Sequence, residues 1–279
     1  MTYRSIFVHA DDTEPCARRL DYAARLARRY PSELHGSYLP SPSELTRYAK
    51  AVMAQEEIDK YARLRAAERS AAETAFRDAA KRAGVTNVDW DVPQRSPIGA
   101  AVLRARHSDL AILGQPPRDD QREDFTAELA NAVLTRCGRP VLFVPSVGEY
   151  PTIGERVLIA WKDSRESARA VADALPLLKD AKKVVALAVT PEADETANER
   201  FTDAQLSAFL SRHDIDATVK RIAAADIEAG ELLLSQVADA GADLIVMGAY
   251  SRPRLTEIVW GGVTRVMMAS MTAPVLMSH

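Results

Sequence analysis

Stretches of this chain repeat one another at a constant spacing, so any fold for it must hold two copies of one unit. Ser108-Asp109-Leu110-Ala111-Ile112-Leu113-Gly114 returns as Ala242-Asp243-Leu244-Ile245-Val246-Met247-Gly248, and Pro140-Val141-Leu142 returns as Pro274-Val275-Leu276, both at an offset of 134 residues. A shared offset means that the stretch between them aligns without a gap. The openings match too: Ile6-Phe7-Val8-His9-Ala10-Asp11 lines up with Val157-Leu158-Ile159-Ala160-Trp161-Lys162 at an offset of 151, so the middle of the first copy is 17 residues longer. A chain of 279 residues is long for one core and comfortable for two domains of about 140 each.

Each copy alternates short apolar runs with helical stretches. In the first, strand Ile6 to Ala10 passes through Asp11-Asp12-Thr13-Glu14 to Pro15, placed for a first helical turn. Ala17, Leu20, Ala23, Ala24 and Ala27 then fall at helical spacing, with the arginines read onto the other face. A strand from Leu34 to Leu39 precedes a long Ala/Glu/Arg/Lys-rich helical stretch, about Glu44 to Arg82. The second copy reads as strand Val157 to Trp161, one helix Ser164 to Leu178, and further alternation to a last strand at Val275 to Met277. Near-continuous apolar strands joined by helices predict a parallel sheet covered on both faces, an open doubly wound α/β domain. Ligands of such sheets sit beyond the carboxyl ends of the strands, where strand order switches. Asp11, Gly114, Lys162 and Gly248 stand at those ends, and Ser146 to Gly154 reads as the linker.

Charge is nearly balanced, with 36 basic and 39 acidic side chains, which gives no basic surface for nucleic acid. No segment reaches the 18 to 20 or so apolar residues of a membrane span, and Met1-Thr2-Tyr3-Arg4-Ser5 leads straight into a strand, so the expectation is a soluble cytoplasmic protein. Cys16 and Cys137 show no metal or disulfide spacing and read as helix-packing residues. The five histidines form no metal pattern; His9, near Asp11, reads as a packed histidine rather than a catalytic one. Nucleophile-elbow, Walker and G-x-G-x-x-G patterns are missing, which leaves catalysis little support.

Read as a whole, the arrangement resembles the universal stress protein family in its tandem form, over essentially the full chain. The most specific part runs from Asp243 to Met277, because nucleotide-binding members of the family carry G-x2-G-x9-G and a hydroxyl residue shortly before a final Pro-Val strand. Here Gly248 takes the first glycine, Ser251 the second, Gly261 the third and Gly262 the hydroxyl position, with Thr264 at a second hydroxyl. The resemblance implies two tandem doubly wound parallel-sheet domains, Rossmann-like and adenine nucleotide alpha hydrolase-like, related by a pseudo-two-fold. They span 1–149, where the phosphate loop is lost, and 150–279, where it is partly retained. Family domains associate through their last strands, so the apolar runs at Val141 and Val275 are expected to pair within the chain. Homo-oligomers through further domain pairing are also implied.

Glycines let a backbone approach a polyphosphate, and the helix starting near Val263 adds a positive dipole end. Ser251 and Pro253 stiffen the loop, while Arg252, Arg254 and Arg265 supply positive charge. The family's adenosine-contacting aspartate is Asp11 in the first copy but Lys162 in the second, followed by Asp163, and a lysine accepts no hydrogen bond. In the first copy Ala127, Glu128 and Ala130 replace the phosphate-contacting residues. The candidate ligand residues are therefore Lys162, Asp163, Gly248, Ser251, Gly261, Gly262, Val263 and Thr264. The implied ligand is ATP or another adenine nucleotide, with Mg2+, or a simple anion in the C-terminal domain; none is expected in the N-terminal one. Three functions follow from this reading: a non-catalytic stress-response sensor or interaction module, a slow ATPase using the C-terminal site, or a ligand-free scaffold.

Overall fold

The computed structural model describes residues 2–41, 55–94, 96–116, 123–190, 197–223, 228–249 and 262–279. The first half runs β1 (Ser5–Ala10), α1 (Pro15–Arg29), β2 (Glu33–Tyr38), α2 (Gln55–Ala83), β3 (Val88–Asp91), α3 (Pro97–Arg106), β4 (Leu110–Gly114), α4 (Glu123–Arg136) and β5 (Val141–Val144). The second runs β6 (Arg156–Trp161), α5 (Arg165–Asp173), α6 (Leu175–Lys179), β7 (Lys183–Thr190), α7 (Ala197–Ser211), β8 (Ala217–Ala223), α8 (Ala229–Ala240), β9 (Leu244–Gly248), α9 (Gly262–Ser270) and β10 (Val275–Ser278).

All ten strands join one sheet in the order β3-β2-β1-β4-β5-β10-β9-β6-β7-β8. Within each half the strands are parallel, and the halves meet at the antiparallel pair β5 and β10, with Val275 opposite Phe143, Leu276 opposite Leu142 and Met277 opposite Val141. The expected pairing of last strands is thus present, and it leaves neither of these apolar strands with an open edge. Helices cover both faces. Leu20, Leu26, Phe76, Val171, Leu178 and Leu210 build the core on one side; Ala101, Leu129, Val133, Leu233, Val237 and Met267 build it on the other. Each layer includes residues of both halves, so hydrophobic burial ties the repeats together as well as each repeat to itself.

The repeated aspartate closes the start of each half. Asp109 accepts hydrogen bonds from the backbone N–H groups of Arg4 (2.8 Å) and Ser5 (3.1 Å). Asp243 accepts them from Glu155 (3.1 Å) and Arg156 (2.8 Å), the matching pair of the second copy. A carboxylate on two backbone donors satisfies amides that the first strand residues leave open. The linker is held by α1, whose Arg18, Arg25 and Arg29 fall on one stripe. Arg18 donates to the carbonyl of Ser146, Arg25 to those of Tyr150 (2.6 Å) and Pro151 (3.0 Å), and Arg29 to that of Ile153.

Two local expectations change. The single helix expected from Ser164 to Leu178 is split at Ala174 into α5 and α6. Pro176 causes this, since it has no N–H to give and its ring crowds the carbonyl four residues back. On α1, Ala17 is exposed while Arg19, 3% exposed, lies on the buried face, contrary to the placement of every arginine outside. The part of the long helical stretch from 44 to 54 lies outside the described residues, and α2 is helical from Gln55.

Candidate functional site

In each half the strand order switches between two neighbours: β1 and β4 in the first, β6 and β9 in the second. Crevices at these points are where doubly wound sheets take ligands. The two are built differently.

At the first switch point, Asp11 follows β1 and is fixed by Thr13, whose hydroxyl donates to it at 2.5 Å and whose N–H does so at 3.0 Å. Arg19 reaches in from α1, its Nη2 lying 2.9 Å from Asp11 Oδ2 and its Nε donating to the carbonyl of His9 at 2.6 Å. A Cβ on Gly114, at the end of β4, would overlap Arg19 Nη1. His9, 3% exposed, donates from Nε2 to the carbonyl of Leu39 at 2.9 Å. Burial and the neighbouring Arg19 charge lower its pKa to about 4, against a smaller upward pull from Asp11, so the ring is neutral at pH 7. Burial disfavours the Asp11 carboxylate, but Arg19, His9 and the Thr13 bonds outweigh it and hold the group well below the usual carboxylate range. Burial pushes the Cys16 and Cys137 thiols up, in keeping with packing roles. His9 is likewise a packed histidine.

At the second switch point, Lys162 and Asp163 follow β6 and are exposed. Ser164 caps α5, its Oγ accepting from the N–H of Ser167 at 3.2 Å. Gly248 ends β9 and has a packing reason of its own: a Cβ there would come within 2.5 Å of the Glu166 carbonyl carbon and the Ser167 nitrogen. Gly262 opens α9, exposed and, among the described residues, with nothing within 4 Å of a built Cβ. Val263 is half-buried and Thr264 is buried, 4% exposed. Pairing of Ala160 with Met247 brings Lys162 and Gly248 to the same end of the sheet. Ser251 and Gly261, with Arg252 and Arg254, lie outside the described residues. In the first half, Glu128 is exposed and Ala130 is buried on α4.

Arg19 is the residue that sequence reasoning missed. Its signal was its position on the Cys16, Ala23 and Leu26 side of α1, eight residues after a strand-end aspartate.

The family model for the universal stress protein family matches residues 2–145 and again residues 154–279. The chain belongs to the universal stress protein family. Two copies of the family unit therefore stand on one chain. Solved structures share the fold at low identity. A universal stress protein from Archaeoglobus fulgidus DSM 4304 superposes with a TM-score of 0.72 at 15% identity, covering 98% of this chain and 95% of that one. A putative universal stress protein from Pseudomonas aeruginosa UCBPP-PA14 gives 0.60 at 17%, covering 99% and 93%. The cytoplasmic domain of a prokaryotic cation chloride cotransporter gives 0.54 at 12%, covering 99% and 95%. No curated protein matches the sequence. Among the described residues, no helix is long and apolar enough to cross a membrane, and no cluster of metal-binding side chains is present.

Proposed function

We propose that this tandem universal stress protein is a cytoplasmic, non-catalytic sensor or interaction module of the stress response, with one residual nucleotide or anion site in its C-terminal half. The observation that carries this reading is the asymmetry of the switch points. The first holds Arg19, whereas at the second Gly262, at the start of α9, has no described residue within 4 Å of a built Cβ and Lys162 is exposed beyond β6. Two helix starts and a lysine at one sheet end form an electropositive setting for phosphate oxygens. Gly248, Ser251, Gly261, Gly262, Val263 and Thr264 would line the phosphate side, and Lys162 and Asp163 the other. ATP or another adenine nucleotide with Mg2+ is the ligand the family pattern favours; Asp163 offers the acceptor that Lys162 does not. Self-association beyond one chain would use surfaces other than β5 and β10, which already pair with each other.

A scaffold with no ligand is the second reading, favoured by the continuous ten-stranded sheet. Calorimetric titration with ATP and Mg2+, and with pyrophosphate, on wild type and Gly262→Glu separates the two. A Cβ there meets nothing among the described residues, so the substitution places a carboxylate at the loop without disturbing the described core. Saturable binding lost in Gly262→Glu supports the site. Absent binding, or binding equal in both proteins, overturns it, and phosphate release equal in both assigns hydrolysis elsewhere.

A further inference from the structure

We infer that the crevice between β1 and β4 is a guanidinium site whose resident ligand is the chain's own Arg19, so that this half is closed to exchange with small molecules. This inference concerns the N-terminal half alone and does not depend on what the C-terminal half binds.

Among the described residues the crevice suits a guanidinium, although Nη2 meets Asp11 as an ion pair without hydrogen-bond geometry. The His9 carbonyl accepts from Nε at 2.6 Å, Asp11 Oδ2 lies 2.9 Å from Nη2, and Gly114 leaves bare backbone where Nη1 rests. A planar cation suits a carbonyl and a carboxylate set side by side; an anion does not. His9 cannot supply the balancing charge, because its Nε2–H is committed to the Leu39 carbonyl and its ring is neutral. Arg19 is therefore the counter-charge of a largely buried carboxylate, and removing it would leave Asp11 with only the Thr13 hydrogen bonds to hold its charge.

The second copy treats the two positions as a unit. Where the first has Asp11 and Arg19, the second has Lys162 and Ala170 at the same offset of 151, losing carboxylate and guanidinium together. The longer middle of the first copy adds a second arginine over the same strand end. Helix α2 has 29 residues against 15 in α7, and its Arg65 lies 3.9 Å from Asp12 and 3.1 Å from Glu68, with Nε donating to the Tyr61 hydroxyl at 2.8 Å. Both acidic residues after β1 thus face arginines from the flanking helices.

Replacement of Arg19 by alanine leaves an Asp11-lined cavity shaped for guanidinium. Thermal unfolding of Arg19→Ala in millimolar methylguanidinium is the test, with methylammonium and wild type as controls. The midpoint of the variant should fall by several degrees and climb back saturably with methylguanidinium only, while wild type does not respond. No rescue, or equal rescue by methylammonium, overturns the inference. Should Arg19→Ala not fold, Gly114→Ala is compared in wild type and in the charge-free pair Asp11→Asn/Arg19→Met. The midpoint drop should shrink several-fold in the second background; an equal drop contradicts the account. A third arm counts nucleotides per chain by native mass spectrometry. A fall in ATP stoichiometry in Arg19→Lys would mean that Arg19 holds a phosphate, and would likewise overturn the inference.

Discussion

Leu142 and Leu276 pair with each other across β5 and β10, and they are the same position of the two repeats. Phe143 opposite Val275 and Val141 opposite Met277 exchange places under the same repeat relation, so the pseudo-two-fold passes through this leucine pair. Both side chains are fully buried in the same core layer. Leu142→Ala and Leu276→Ala should each cost about 2 to 5 kcal/mol, and the double variant should cost less than the sum because the residues share neighbours. Urea denaturation checks this; strict additivity would place the residues in separate cores.

Acid should weaken the fold before the carboxylates titrate. An unfolded chain binds a proton on His9 below about pH 6.5, which the folded chain refuses until about pH 4. Unfolding therefore takes up a proton in that window. The His9 contribution is full above pH 6.5 and is lost towards pH 4, by up to about 3 kcal/mol. Asp11, held low in the fold, adds a loss that begins below about pH 4. Midpoints measured from pH 7 to pH 4 should fall in wild type and stay flatter in His9→Gln, whose amide can still donate to Leu39.

Removing either strand-start clamp should act locally. Asp109→Ala leaves the Arg4 and Ser5 amides without their carboxylate, and Asp243→Ala does the same to Glu155 and Arg156. Each should lower stability by about 1.5 to 3 kcal/mol. Amide hydrogen exchange should quicken at the two named residues of the affected half and not at those of the other.

Two glycines of the C-terminal loop should respond in opposite ways. Gly248→Ala drives a methyl into the first turn of α5 and should cost about 1 to 3 kcal/mol or more. Gly262→Ala meets nothing among the described residues and should be neutral or slightly stabilising, as alanine is the better helix former. Lost ligand binding in Gly248→Ala would thus report on α5 as much as on a phosphate, and thermal melts of both variants are the control.

Much of the fold is legible in the residues, because it rests on patterns that repeat. The constant offset marks the two halves, and the apolar runs after Pro140 and Pro274 mark the strands that meet. The site is less legible. Arg19 counts as a surface residue by type, and only the packing of α1 against β1 and β4 reveals that Asp11 needs it inside. Gly248 looks like a phosphate-loop glycine in sequence, yet Glu166 and Ser167 press on it, a constraint that spacing cannot display. Asp109 and Asp243 stand out as repeated, but their work on the next strand's amides depends on β1 lying beside β4 and β6 beside β9.

The asymmetry of the two switch points is tested most directly by native mass spectrometry of the intact protein titrated with ATP and Mg2+, alongside Gly262→Glu. Wild type should saturate at one nucleotide per chain and the variant should bind none. Two nucleotides per chain, or one that survives Gly262→Glu, would contradict the asymmetry.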